Sequence, residues 1–220
     1  MMDVDLRLYA LLDPAVAGGR TLSDLAGQIA DSATLVQLRD KHSSTRAMVE
    51  EARALRSVLA PAQIPLLIND RVDVALAARA DGVHIGEDDI APQDARTLLG
   101  RAAIIGLSIK TVRDAETAPL YLLDYVAIGG VYATSSKKTK SPPIGIAGLR
   151  EVAQAVRKRV PRFPICAIAG IDSGNAGKVI AAGADGVAVI SALAKASNPG
   201  SAARKLRDVV DRALERRGQE

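Results

Sequence analysis

The chain has 220 residues, 48% hydrophobic and 25% charged, with a net charge of +4, which favours one globular domain spanning residues 1–220. The single cysteine excludes an internal disulfide and a multi-cysteine metal site, and 2% aromatic residues with scattered positive charge argue against nucleic-acid partners. No apolar run has the length of a membrane span and the N-terminus does not resemble a signal peptide, so we expect a cytoplasmic protein without membrane contact.

Short apolar runs alternate with Ala-rich segments of helical spacing along the chain. The runs predict strands at Leu6–Leu12, Leu35–Leu38, Pro65–Ile68, Gly82–Ile85, Ala103–Ile109, Tyr125–Ile128, Pro164–Ile168 and Gly186–Ile190. Helical segments include Thr45–Leu59, Val72–Ala80, Leu149–Arg159, Ser173–Ala182 and Ala202–Arg217. This alternation is typical of parallel strands joined by helices. We predict an α/β protein with a single (β/α)8 TIM barrel, whose functional groups lie at the C-terminal ends of the strands.

The second predicted strand ends in a cluster of polar residues. Because side chains alternate along a strand, Gln37, Arg39 and Lys41 share the face opposite Val36 and Leu38. Two inward cations require an anionic partner, and a phosphate or diphosphate would supply one. The alternative is that the strand has already ended and these charges lie in an exposed loop.

Acidic residues follow the third and fourth strands. Asp70 comes after the third strand, and Asp88 and Asp89 follow the fourth, so neighbouring strand ends bring carboxylates together. Carboxylates without a His/Cys cluster suit Mg²⁺, which would in turn bind a diphosphate. The alternative is that these residues cap helices. His84 faces inward on the fourth strand, either as a base or as a hydrogen-bonded structural residue.

The remaining strand ends carry hydroxyls, a lysine and glycine. Ser108 ends the fifth strand. The sixth strand leads into the loop Ala133–Ile144, which is long enough to act as a lid. This loop contains Thr134–Lys137. Three hydroxyls followed by a lysine can hold a phosphate, although such a loop is often only solvated. Barrels frequently bind phosphate at the last two strand ends, here near Gly170 and Ser191.

These segments, taken in order, resemble thiamine-phosphate synthase. The matching motifs are Gln37–Lys41, Ile68–Arg71, Gly82–Gly86 with Asp89, Gly106–Ser108, Thr134–Lys137, Ala169–Ile171 and Gly186–Ser191. The set covers nearly the whole chain. Two departures stand out, since Gly130 occupies a position where the family often has proline and the segment 138–143 is more basic than usual.

The resemblance implies the residues that bind each ligand. The pyrimidine diphosphate would be held by Gln37, Leu38, Arg39, Asp40, Lys41, Asn69, Ser108 and Lys137. The thiazole phosphate would be held by Thr134, Ser135, Ser136, Gly170, Ile190 and Ser191. Asp70 and Asp89 would bind Mg²⁺, with Asp88 as a rival ligand, and Arg39, Lys41 and Lys137 would stabilise the departing diphosphate.

The implied reaction joins the two substrates, releases diphosphate and gives thiamine monophosphate. We expect Asp70→Ala or Lys137→Ala to abolish turnover without unfolding the protein. The rival functions are a thiazole tautomerase and a non-catalytic barrel that binds a phosphate ligand. The sequence leaves open whether the thiazole is carboxylated and whether the protein forms a homo-oligomer.

Overall fold

A computed structural model of the protein describes residues 4–134 and 142–219. Within these residues eight parallel strands close into a barrel in chain order, with β8 paired to β1. The strands are β1 (Leu8–Leu12), β2 (Leu35–Leu38), β3 (Leu66–Asn69), β4 (Gly82–Ile85), β5 (Ile104–Ile109), β6 (Tyr125–Ile128), β7 (Ile165–Ile168) and β8 (Gly186–Val189). The predicted single (β/α)8 barrel is therefore confirmed.

Helices follow the strands and cover the outside of the barrel. They are α1 (Leu22–Ile29), α2 (Thr45–Leu59), α3 (Val72–Ala78), α4 (Pro92–Leu99), α5 (Val112–Thr117), α6 (Gly145–Arg159), α7 (Ala176–Ala181), α8 (Ser191–Ala194) and α9 (Pro199–Arg217). Short 3₁₀ turns occupy Ala60–Ala62 and Leu120–Leu122. In the described part of the chain, none of these helices is both long and apolar enough to cross a bilayer.

Alternation along the strands divides the core into two layers. On β2, Val36 and Leu38 pack in the outer layer between strands and helices, whereas Leu35 belongs to the inner layer with Tyr9 and Tyr125. Gln37 lies on the inner side as predicted, because its amide bonds to Tyr9. Cys166 is fully buried in the inner layer, and burial raises the pKa of its thiol, in agreement with an inert core residue.

The N-terminal face of the barrel is closed by a repeated hydrogen bond. The residue before each even-numbered strand accepts a hydrogen bond from a backbone N–H at the start of the preceding odd strand. Leu8 donates to Thr34, Leu66 to Asp81, Ile105 to Asp124 and Ile165 to Asp185, at 2.8–3.0 Å. The Ala-Asp-Gly-Val repeat at 80–83 and 184–187 contains two of these residues. Its glycine is needed because a Cβ at Gly82 would meet the Ile104 carbonyl oxygen at 1.9 Å.

Candidate active site

Two carboxylates meet at the C-terminal mouth of the barrel, where the order of the strands predicts them. Asp70 follows β3 and its N–H donates to the His84 carbonyl at 2.8 Å. Asp89 follows β4 and accepts a hydrogen bond from Gly86 N–H at 2.7 Å. Burial raises the pKa of Asp89, and its hydrogen bond with Asp70 and that residue's charge raise it further. The two carboxyl groups are therefore neighbours at the mouth.

The alternative assignment of these acids as helix caps does not hold. The N-cap of α3 is Arg71 and that of α4 is Ala91, and neither helix has a side-chain cap bond. Asp70 instead has a positive φ of 62°, a conformation that aspartate tolerates better than most residues. Asp88 is exposed, whereas Asp89 is half-buried beside Asp70. The local structure thus aims Asp70 and Asp89 at each other rather than at helix ends.

Both cations of the β2 end are paired with carboxylates of the protein itself. Arg39, with 16% of its side chain exposed, forms an ion pair with the buried Asp13 at the end of β1. Lys41, with 47% exposed, forms an ion pair with Asp70. The anionic partners that these cations require are therefore present in the protein itself, as Asp13 and Asp70, and a diphosphate partner stays a prediction. The alternative is half right, because β2 ends at Leu38 and both residues lie beyond it. Their exposure differs, since Arg39 is mostly buried and Lys41 is about half exposed.

Leu38 and Asp40 have structural contacts in addition to their predicted ligand role. Leu38 packs its side chain in the outer core, which leaves its backbone for any ligand contact. Asp40 accepts hydrogen bonds from the N–H groups of His42 and Ser43 at 2.9 and 3.0 Å. Burial raises the pKa of Asp40, but a hydrogen bond from the Ser43 side chain and these two backbone bonds outweigh it, and the pKa falls below its ordinary value. Asp40 shapes the turn after Lys41, and its predicted role at the substrate stays a prediction.

A polar chain lies in the barrel below the acids. Gln37 donates through Nε2 to the Tyr9 hydroxyl, which is 2.9 Å from the Tyr125 hydroxyl. His84 bridges Tyr125 at 2.9 Å and Ser108 at 2.8 Å through its two ring nitrogens, so its inward-facing, hydrogen-bonded interpretation is confirmed.

Two buried polar atoms near this chain lack partners. Among the described residues, Gln37 Oε1 and Asn69 Nδ2 make no hydrogen bond. Buried polar groups are almost always paired, so an unpaired acceptor and an unpaired donor, on the neighbouring strands β2 and β3, indicate a place for a polar ligand.

The predicted phosphate-binding residues of the other substrate lie partly outside the described structure. Ser135, Ser136 and Lys137 fall in the segment 135–141, whereas Thr134 is half-buried. Gly170, after β7, has φ 66°, and a Cβ there would meet the Ala133 carbonyl oxygen at 2.5 Å. Ile190 precedes α8 and Ser191 is its first residue. The described part of this set therefore follows β6, β7 and β8, at one side of the mouth.

The backbone conformation at Gly130 explains why glycine stands where the family often has proline. Its φ is 71°, which proline cannot adopt because its ring fixes φ near −65°. A Cβ at this position would lie 3.0 Å from Lys110 Cε, so the glycine also makes room for a lysine that lies two residues beyond Ser108. Lys110 and Asp13 were not predicted from the sequence as residues of the mouth. Each directly follows a strand, and this position could have indicated them.

Comparison with known proteins identifies the family of the chain. A family model described as thiamine monophosphate synthase matches residues 8–193. A thiamine-phosphate synthase of Agrobacterium fabrum is 49% identical over 218 residues, covering 99% of both chains. One of Moorella thermoacetica is 44% identical, covering 94% of this chain and 96% of the relative.

Comparison with solved structures agrees with these sequence matches. The thiamine phosphate pyrophosphorylase of Pyrococcus furiosus superposes with a TM-score of 0.83 at 33% identity, covering 96% of this chain and 98% of the other. A 3-hexulose-6-phosphate synthase of Salmonella typhimurium, at 18% identity and a TM-score of 0.68, shares the fold alone. Fold, site and relatives together define a transferase built on a β/α barrel. The chain belongs to the thiamine-phosphate synthase family, as the resemblance predicted.

Proposed function

We propose that the protein joins 4-amino-2-methyl-5-hydroxymethylpyrimidine diphosphate to a thiazole phosphate, giving thiamine monophosphate and diphosphate. If the thiazole carries a carboxylate, that group leaves as carbon dioxide. The observation that carries the proposal is the position of Asp70, which adjoins Asp89 and is paired with Lys41. The names of the relatives, thiamine-phosphate synthase and thiamine phosphate pyrophosphorylase, support the same reaction.

The carboxylates fit Mg²⁺ as the cofactor. In the described residues no group of three or more His, Cys, Asp or Glu side chains could hold a metal ion alone. Mg²⁺ usually binds one or two carboxylates, with phosphate oxygens and water completing its shell, and Asp70 and Asp89 are such a pair. When bound there it would neutralise charge on a diphosphate. Two adjacent acids, without a third such ligand in residues 4–134 and 142–219, thus suit a metal that arrives with its substrate.

The unpaired amide atoms suit the aminopyrimidine ring. Gln37 Oε1 can accept a hydrogen bond from an exocyclic amine, and Asn69 Nδ2 can donate one to a ring nitrogen. A 4-aminopyrimidine presents this donor and acceptor side by side. Binding would therefore satisfy two buried groups that otherwise weaken the folded protein.

The protein's role in the reaction is to orient the substrates and stabilise charge. The bond between the pyrimidine methylene carbon and the diphosphate oxygen breaks, and its electron pair leaves with the diphosphate. The electron-rich aminopyrimidine stabilises the resulting cation, and the thiazole nitrogen forms the new C–N bond with its own lone pair, so no general base is needed. Lys41 lies beside the acids, and Arg39 keeps guanidinium donors beyond the one used on Asp13, so both can stabilise the leaving group.

The rival functions predict different sites. A tautomerase acting on the thiazole phosphate alone needs neither the cationic end of β2 nor the acid pair, both of which are present. A ligand sensor would bind the substrates without releasing diphosphate. Cytoplasmic location and the absence of nucleic-acid partners stay predictions, and homo-oligomer formation stays open.

The test is diphosphate release from both substrates, with Mg²⁺ or with EDTA. We expect release only with Mg²⁺, and a loss of about 100-fold or more in Asp70→Asn, because a carboxylate that would hold the charge-neutralising Mg²⁺ is removed. Asparagine tolerates the positive φ of 62° at this position, so the fold should persist, as circular dichroism would show.

Asp73→Asn is the matched control. Asp73 lies three residues away in the first turn of α3, where it pairs with Arg71 on the surface, and its variant should release diphosphate like the wild type. Release by Asp70→Asn at the wild-type rate would contradict the proposed role of Asp70. Wild-type protein that isomerises the thiazole phosphate or binds both substrates without release would establish one of the rival functions.

A further inference from the structure

The polar chain inside the barrel connects two residues expected at the pyrimidine substrate. It runs from Gln37 on β2 through Tyr9 on β1, Tyr125 on β6 and His84 on β4 to Ser108 on β5. Tyr9 and Tyr125 are 1% and 0% exposed, so neither hydroxyl reaches the substrate itself. The chain thus crosses the barrel from β2 to β5 beneath the mouth.

Packing fixes the middle of the chain as firmly as its hydrogen bonds. The rings of Tyr9 and Tyr125 meet edge to face, with centroids 5.8 Å apart, and His84 stacks on Tyr125 at 5.6 Å. Tyr125 lies over Gly106, where a Cβ would be 2.0 Å from its Cζ. Any larger residue at position 106 would displace the Tyr125 ring. The glycine therefore leaves the space that this ring occupies.

The two ends of the chain carry the groups that can contact a ligand. Gln37 uses Nε2 on Tyr9, and Oε1, on the other side of the amide, is therefore left as the buried, unpaired acceptor. Ser108 is half-exposed, and its hydroxyl is held by His84 Nε2. Burial raises the pKa values of Tyr9 and Tyr125, so both phenols stay protonated and able to hydrogen bond at neutral pH.

We propose that Tyr9, Tyr125 and His84 are positioning residues, which fix the amide orientation of Gln37 and the hydroxyl of Ser108 for the aminopyrimidine. The Tyr125 hydroxyl engages the Tyr9 hydroxyl, which in turn accepts from Gln37 Nε2. Without the Tyr125 hydroxyl, Tyr9 is free to donate to the amide oxygen instead, and the turned amide would present a donor where the substrate also has a donor. The inference rests on the proposed function, because it assumes that a pyrimidine diphosphate occupies the mouth.

The experiment removes the central hydroxyl in Tyr125→Phe and measures the affinity of each substrate by calorimetry. The dissociation constant of the pyrimidine diphosphate with Mg²⁺ should rise about five- to tenfold, the factor that one net hydrogen bond contributes. The dissociation constant of the thiazole phosphate should stay within about twofold. Its predicted site follows β6, β7 and β8 and shares no residue with the polar chain. Tyr121→Phe is the control, since Tyr121 is 82% exposed.

The ring nitrogens of His84 provide a readout that a merely structural role would not change. In ¹⁵N NMR the wild type should show one predominant tautomer, because the continuous chain of hydroxyls gives its hydrogen bonds a common direction, whereas Tyr125→Phe, which breaks the chain at Nδ1, should show a mixture. Equal weakening of both substrates, unchanged pyrimidine affinity or an unchanged tautomer would overturn the inference. A wild type that binds both substrates without diphosphate release would instead refute the proposed function, and the two failures are therefore distinguishable.

Discussion

At the residue level, the raised pKa of Asp89 predicts that its charge weakens the folded protein when no metal is bound. Burial and the hydrogen bond and charge of Asp70 raise its pKa above the ordinary 3.8. A carboxyl whose pKa rises on folding contributes stability that is present below pH 3.8 and is lost as the pH rises through the folded pKa. Asp89→Asn should therefore raise the melting temperature in EDTA at pH 7 by about 1–4 °C, corresponding to at most about 1 kcal/mol after screening by solvent.

The pH dependence and a neighbouring acid provide the controls for Asp89. The gain should shrink as the pH is lowered towards 3.8, where Asp89 itself becomes neutral. Asp88→Asn removes an exposed charge one residue away, and its melting temperature should match the wild type. A lower melting temperature in Asp89→Asn at pH 7, or a gain of the same size in Asp88→Asn, would contradict the assignment.

Single residues were predictable from sequence where strand alternation alone decides their direction. Gln37 follows from that rule, and Asp70 and Asp89 follow from the order of neighbouring strands. The partner of Arg39 was not predictable, because Asp13 is 26 residues away and its buried position depends on closure of the barrel. Tyr9 and Tyr125 are 116 residues apart, and only the three-dimensional structure shows that their hydroxyls meet.

At the element level, a capping box fixes the chain where it leaves β5. The Thr111 hydroxyl accepts a hydrogen bond from Asp114 N–H, and Asp114 accepts from the N–H groups of Lys110 and Thr111. The helix α5 has 6 residues, too few to be stable alone, so the cap matters. Asp114→Ala should lower stability at pH 7 by about 1 kcal/mol, seen as a fall of about 2–4 °C in melting temperature.

Acid should remove the difference between Asp114→Ala and the wild type. Burial raises the pKa of Asp114, but the hydrogen bonds from Lys110 and Thr111 outweigh it and the pKa is lowered. Stability from a lowered pKa is present above pH 3.8 and lost as the pH falls through the folded value. Asp24→Ala is the control. In the described structure, the cap of α1 uses the backbone N–H of Asp24, which donates to the Thr21 hydroxyl, and the substitution leaves this bond in place. An undiminished effect of Asp114→Ala at acid pH would contradict this account.

Element positions were predictable where apolar periodicity is strong and less so where side chains set the ends. The helix Thr45–Leu59 and the strands Leu35–Leu38, Gly82–Ile85 and Tyr125–Ile128 have the predicted bounds. The last helix begins at Pro199 rather than Ala202, because Asn198 caps Ser201 N–H at 2.9 Å and proline suits the first helical position. The helix predicted from Ser173 begins at Ala176, because Asp172 and Asn175 bond to each other's backbone and hold a turn there.

At the level of the whole molecule, stability and function lie at opposite ends of the barrel. The paired acids and cations are at the C-terminal mouth, whereas the repeated hydrogen bonds of Thr34, Asp81, Asp124 and Asp185 close the N-terminal face. Asp124 is the most demanding of these, because it is buried and also pairs with Arg96 at 2.7 Å. Substitutions at this end should therefore change stability without changing substrate affinity.

Asp124→Ala tests that separation. It leaves the Arg96 guanidinium, 17% exposed, without its carboxylate and the Ile105 N–H without an acceptor, so we expect a loss of about 3 kcal/mol and a melting temperature lower by about 6–12 °C. Asp81→Ala removes the equivalent hydrogen bond to Leu66 at an exposed position, and about 1 kcal/mol should be lost.

Both variants should keep the wild-type KM for each substrate below their melting temperatures. A raised KM at unchanged melting temperature in Asp124→Ala would show that the two ends of the barrel are coupled, because a change at the closed face would then have reached the mouth through the strands.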